Sequence, residues 1–153
     1  MRITVDLSRA YAAIKAVRMD DAKLQKLGER GAMMLFQDSS QSFIRQADPS
    51  TGEAWKPLKY KRRRGSTKRA QILMDTGRLR RSVATAYRVL GRAKLEILGG
   101  TRPLAYSRIH QFGGQAGRGL RSTIPARPYV GMRPTTRKRL QDLVTAYYRS
   151  LHG

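Results

Sequence analysis

Apolar and polar positions along the chain change period from element to element. Ile3, Val5 and Leu7 alternate with Arg2, Thr4 and Asp6, the two-residue rhythm of a half-buried strand. Ser8 is placed to cap a short helix carrying Tyr11, Ile14 and Val17. A longer helix is predicted from Asp20 or Asp21 to about Gln46, because Leu24, Leu27, Gly31, Met34, Leu35 and Phe43 lay one apolar or small-residue stripe against a core. Gly28 and Gly31 each cost about 1 kcal/mol against alanine inside a helix, so close packing is the expected reason for them. Met33 and Met34 are expected to fill core rather than to form an adaptable surface. Residues 48–52 (DPSTG) are turn material and 55–58 (WKPL) an extended anchor.

Further along, Asp75, Thr76 and Gly77 open a short helix, in which the Asp75 carboxylate caps the first turn and Leu79 and Val83 share a face. Val83, Thr85, Tyr87 and Val89 then alternate, Gly91, Arg92 and Ala93 turn, and either Leu95 and Ile97 or Glu96 and Leu98 alternate on the return strand of a hairpin that Gly99 and Gly100 end. Leu104, Ala105, Ile109 and Phe112 mark one face of a second short helix. Pro134 starts a last one, whose stripe is Leu140, Leu143, Val144, Tyr147 and Leu151. The order strand, helices, hairpin, short helix, strap, helix predicts an α+β fold. It comprises a small antiparallel sheet with helices packed on one side and long basic loop arms.

Length and charge sharpen this picture. A chain of 153 residues reads as a single domain, 1–153, that can bury roughly two-thirds of its unfolded surface. Lys and Arg total 32 against 10 acidic residues, for a formal net charge of +22 and a pI of about 11.5. Such a field favours polyanions or acidic protein surfaces as partners. Seven of these cations, Lys59, Lys61, Arg62, Arg63, Arg64, Lys68 and Arg69, crowd one arm, 59–70. Like charges at that density repel, so the arm is either a solvated loop with no dedicated partner or an interaction surface that a partner neutralises. Trp55, the only tryptophan, is expensive to leave in water and is expected to pin the base of the arm to the core. The chain has no cysteine, hence no disulfide scaffold and no thiolate metal site. It has no apolar run near the roughly 20 residues that span a bilayer, nor the apolar core of a signal peptide. A protein made and used, or assembled, in the cytosol is the expectation, with no membrane partner.

The stretch 109–131 is the most structured in its signals. In IHQFGG, Ile109 and Phe112 bracket His110 and Gln111, and the pair Gly113 and Gly114 stops the helix, since glycine reaches positive φ without strain. Residues 115–123, glycine-rich and carrying Arg118 and Arg121, read as an exposed loop. In IPARPYVG, Pro125 and Pro128 fix φ and push Arg127 toward extended geometry, so Pro125, Arg127, Pro128 and Tyr129 form an edge strand or a strap.

Catalytic chemistry is sparse. His110 and His152 are the only histidines and stand apart, so no His cluster can hold a metal. The acidic residues are scattered, whereas a nuclease needs converging carboxylates to hold its cations. GGQAGRG lacks the lysine and Ser/Thr ending of a phosphate-cradling loop, and there is no nucleophile elbow. The expectation is no enzyme, no cofactor and no metal, with Asp75 a cap and His110 a hydrogen-bonding residue that fixes the turn, with Tyr106 one helical turn earlier as its partner.

Four blocks in order, GEAWKPL, ILMDTGRLRRSV, IHQFGG and IPARPYVG, covering residues 52–131, resemble the phage virion morphogenesis or tail-completion family. The resemblance implies a structural virion protein of the neck or tail end, acting in tail completion or termination or in head-tail joining. It would assemble as a ring, sixfold by the general symmetry of such tails, and contact tail-tube and head-tail connector proteins. Its place would be the virion, after assembly in the host cytoplasm. The chain departs from the family in its unusually basic arm and its short arginine-bearing loop. The alternative, resting on charge, is a nucleic-acid-binding protein that sets its basic loops on phosphates. Against it, the motifs of known nucleic-acid modules are absent from the sequence, and a densely cationic conduit would hold DNA rather than let it slide. Contact with double-stranded DNA is therefore expected to be incidental.

Overall fold

A computed structural model describes residues 2–6, 21–58, 71–90, 94–102, 104–120 and 122–149. The expected helix after Ser8, the arm 59–70, the turn at Gly91, Arg121 and the end of the C-terminal stripe at Leu151 lie outside the described residues.

Strand β1 (Arg2–Asp6), helix α1 (Asp21–Arg45) and helix α2 (Arg78–Ser82) are followed by strands β2 (Val83–Leu90) and β3 (Lys94–Thr101). Helix α3 (Ser107–Phe112) leads into β4 (Gly114–Ala116), a short 3-10 turn (Arg118–Leu120) and β5 (Ser122–Ile124), and helix α4 (Pro134–Arg149) closes the order. The main sheet is three-stranded and antiparallel in the order β1-β3-β2, in a register that sets Ile3 and Tyr87 on either side of Ile97 and Val5 and Val89 on either side of Leu95. That register puts the alternating apolar residues of β2 and β3 on one face, and α1 covers it. The result is an α+β fold with the helices on one side of a small antiparallel sheet, as the pattern predicts.

Two apolar clusters hold it together. In the first, Leu27 and Leu35 of α1 and Leu140 of α4 meet Leu95 and Ile97 of the sheet, with Met132 between them. The glycines of α1 permit this approach. A Cβ on Gly28 would stand 2.3 Å from the ring of Tyr87, and one on Gly31 2.3 Å from Ile97 Cδ1. Met34 packs against the cluster, but Met33 is exposed. The methionine pair therefore does not act as one core filler, because neighbours in a helix point about 100° apart and only one can share the stripe. In the second cluster, Phe43, Trp55, Leu79, Val83, Tyr129 and Val130 pack together, with the ring of Phe43 edge-on to Trp55 at 5.7 Å and tilted against Tyr129 at 5.4 Å.

Three local expectations change. Gly99 and Gly100 do not end β3, which continues to Thr101. A Cβ on Gly99 would meet Leu35 at 2.8 Å and Val130 at 2.9 Å, so this glycine lets α1 and the strap close over the sheet. The stretch 115–123 is not a plain loop, since β4 and β5 pair as a small antiparallel hairpin, with Gly114 opposite Ile124 and Ala116 opposite Ser122. Finally, α2 begins later than an Asp75 cap requires. Gly77, at φ 68°, takes the cap position, its carbonyl accepts from Arg81 N, and the Thr76 hydroxyl accepts from Arg78 N at 3.4 Å.

Candidate functional site

The strap, residues 125–133, is the organising feature of the second cluster. Beyond Ile124 it pairs with no strand among the described residues, so its backbone polar groups must find other partners. Side chains from three directions supply them. From α3, Gln111 Oε1 accepts from Tyr129 N (3.0 Å) and Val130 N (3.1 Å), while Gln111 Nε2 donates to Val130 O (3.1 Å). From α1, Ser42 Oγ donates to Tyr129 O (3.2 Å), Ser39 Oγ accepts from Gly131 N (3.2 Å), and the buried Asp38 accepts from Arg133 N (2.9 Å) and Arg133 Nε (2.6 Å). From the segment leading into the basic arm, Trp55 Nε1 donates to Pro128 O at 2.7 Å.

Arg127 makes the reverse connection. It is buried, and its guanidinium donates to the carbonyls of Lys56 (2.9 Å, from Nε) and Pro57 (3.2 Å, from Nη2). Burial lowers its pKa, yet an arginine keeps its charge at any physiological pH. Trp55 and Arg127 thus fasten the last described residues before the arm 59–70 directly to the strap. The arm is attached to a fixed base.

Helix α3 ends as glycine chemistry dictates. Gly113 adopts φ 75° and donates to Ile109 O at 2.8 Å, and a Cβ there would sit 2.9 Å from Ala126 N. The turn it makes brings the strap back along α3, where Arg127 N donates to the carbonyl of His110 at 2.8 Å and the Tyr129 hydroxyl to that of Ser107 at 3.1 Å. Burial raises the Tyr129 pKa, partly offset by hydrogen bonds with Thr101 and Ser107. The side chain that fixes this turn is therefore Gln111, whereas His110 contributes its carbonyl. The His110 ring packs edge-on to Tyr106 at 5.8 Å, and its Nδ1 is buried with no hydrogen-bond partner among the described residues. Burial, and then the charge of Arg127, lower the His110 pKa. Phe112 departs most from the sequence pattern, being 65% exposed rather than facing the core with Ile109.

Of the nine cations assigned from sequence to an interaction surface, Arg118 alone lies among the described residues, exposed in the turn at the tip of the β4–β5 hairpin. Other exposed cations stand around it in the chain, among them Arg102 and Arg108, and Arg137, Lys138 and Arg139 follow one another on α4. Sequence reading missed the polar clamp on α1. Its signal was present: Asp38, Ser39 and Ser42 interrupt the apolar stripe between Leu35 and Phe43, and polar residues on a buried stripe require partners. Gln46 was missed in the same way. At φ 56° it caps the end of α1, and its amide donates to the carbonyls of Phe43 (2.6 Å) and Ile72 (3.1 Å).

Two cavities open nearby. One, of about 370 Å³, lies between residues 73–79 and α3 and is lined in part by Leu73, Leu79, Tyr106 and His110. The other, of about 410 Å³, lies between the end of α1, the turn 47–52 and the start of α4. No group of three His, Asp or Glu side chains that could hold a metal ion occurs among the described residues. No helix among them is long and apolar enough to cross a membrane.

Comparison with known proteins places the chain. It is 31% identical to the putative capsid assembly protein G of Escherichia phage Mu, over 94% of this chain and 91% of that protein. It is 36% identical to the Mu-like prophage FluMu G protein 2 of Haemophilus influenzae, over 64% of this chain and 62% of that protein. No solved structure matches it significantly. The model of the phage virion morphogenesis family matches residues 5–149, which include the strap, its clamps and both apolar clusters, and the chain belongs to that family.

Proposed function

We propose that this protein is a non-catalytic structural component of virion assembly, acting at the tail end or neck as a tail-completion, terminator or joining protein, and that it works as a ring of its own copies. Family membership over residues 5–149 carries the reading. The Mu relative's name, a putative capsid assembly protein, supports a role in building the particle. In the fold, a strap clamped by buried side chains holds Trp55, Lys56 and Pro57, from which the cationic arm 59–70 continues in sequence, and it adjoins the hairpin that exposes Arg118. A fixed base with charged extensions suits docking onto acidic faces of tail-tube and head-tail connector proteins. A net charge of +22 per copy also means that a ring gathers strong self-repulsion, which acidic partners would relieve.

The same charge supports a second reading, phosphate binding on nucleic acid. The two separate on one column. Nuclease-treated protein is sized by light scattering at low and at high salt, with absorbance at 260 nm followed through the peak. A closed oligomer free of nucleic acid that survives high salt supports the ring. A monomer that carries nucleic acid at low salt and sheds it at high salt overturns it in favour of phosphate binding. Charge reversal of Arg62, Arg63 and Arg64 together is expected to reduce particle formation more than it lowers the melting temperature, because seven like charges in one short run repel and add little to stability. Undiminished particle yield would return the arm to a solvated loop.

A further inference from the structure

Helix α3 carries a knob on one side and a hole on the other. Residues two apart in a helix point to opposite sides, and residues four apart share one. Tyr106 and His110 stack edge-on at 5.8 Å and line the cavity of about 370 Å³. Arg108 and Phe112 lie on the other side, both exposed, with Phe112 at 65% the most exposed large apolar side chain among the described residues. Its immediate neighbour in sequence, Gln111, is committed to the strap by three hydrogen bonds, so Phe112 is held outward by a rigid frame.

We infer that Phe112 of one copy inserts into the α3 cavity of the next, so that copies join head to tail through opposite sides of the same helix. The inference rests on the ring reading and names its interface. Size permits it, since a cavity of about 150 Å³ already takes benzene. Chemistry favours it: Leu73, Leu79 and the Tyr106 ring supply apolar walls, and Arg78 at the wall can lie over the incoming ring as a cation on its face. Charge favours it as well. Arg108, one turn before Phe112, is brought to Asp75 on the cavity wall, one of only 10 acidic residues in a chain of net charge +22. A knob and a hole on different faces form a heterologous contact, which propagates and closes into a ring when the rotation allows. A two-fold contact would instead match one patch to itself.

The test uses complementing variants of the whole chain. Phe112→Ala removes the knob and keeps the hole, while Thr76→Trp fills the hole and keeps the knob. Both positions are exposed, Thr76→Trp gives up one 3.4 Å bond from Arg78 N to the Thr76 hydroxyl, and circular dichroism checks that both variants keep the fold. Each variant alone is expected to dissociate, with a rise of more than about tenfold in the concentration at half-assembly. Mixed one to one, the two should form a dimer and nothing larger, because only one productive knob and one productive hole remain. Variants that assemble like wild type would overturn the inference and leave the ring reading standing. A mixture that stays monomeric, or that regains full oligomers, would also overturn it. A wild-type protein that is monomeric at every salt and concentration would remove the ring reading itself.

Discussion

The two apolar clusters solve the same problem by different means. The first is aliphatic and regular, with the α1 stripe, the β2 and β3 faces and Leu140 of α4 meeting through shape, and with glycines on α1 setting the distance. Backbone groups there are satisfied by helix and sheet ladders before any side chain is placed. The second is aromatic and built around an irregular strap, whose backbone groups are satisfied one at a time by Gln111, Ser42, Ser39, Asp38 and Trp55. In periodic segments the backbone hydrogen bonds do not depend on any one side chain. A strap held by individual side chains depends on each.

Loss of a large ring should show the greatest effect. Phe43 is fully buried between Trp55 and Tyr129, and Phe43→Ala is expected to destabilise by about 3–5 kcal/mol; Leu35→Ala in the first cluster should reach about 2–5 kcal/mol. Urea melts followed by circular dichroism check both. Trp55, the only tryptophan, reports the second cluster alone, so its fluorescence at low urea should change in Phe43→Ala and stay native in Leu35→Ala. Equal fluorescence changes in the two would dissolve the distinction between clusters.

Gln111→Ala tests the clamp with little change in apolar packing. It strips partners from two strap N–H groups and one carbonyl, and a loss of about 2–3 kcal/mol is expected. Hydrogen exchange at Tyr129 and Val130 should quicken before exchange in β3 does. Uniform quickening across the chain would mean that the strap opens only with the whole fold.

A smaller effect is expected from pH. Burial and the charge of Arg127 lower the His110 pKa in the folded state, so the unfolded chain takes up this proton first, near its ordinary value of about 6.5. The contribution is complete above that value and is lost as pH falls through the lowered folded pKa. His110→Gln should flatten the fall in melting temperature between about pH 8 and about pH 5. An unchanged slope would remove His110 from the account. The least effect belongs to the exposed pair Lys138 and Asp142, 3.3 Å apart on α4, for which Asp142→Ala should cost roughly 0.3–0.5 kcal/mol and less at high salt.

What could be read from sequence follows the same division. The apolar periods of 21–45, 83–90 and 134–149 announced their elements, because a helix or strand places residues by a fixed repeat and a buried face must be apolar. The turn at Gly113 was legible for an equally local reason, a φ that glycine reaches without strain. In 109–112 the local rule failed. Ile109 and Phe112 are both apolar and three apart, yet the strap needed an amide facing inward at Gln111, and Phe112 was carried out to solvent.

The sequence by itself determined the fold class, the family and the charge, since all three depend on residue identity and short-range order. Tertiary structure alone decided which polar residues became clamps, that Asp38, Ser39 and Ser42 on α1 meet residues 129–133, and that Trp55 and Arg127 tie residues 55–57 to the strap. Those contacts join positions about 70 to 95 apart in the chain. No local period encodes such pairings, because a hydrogen bond to a particular strap carbonyl or N–H exists only after the sheet and α1 have set where the strap must run.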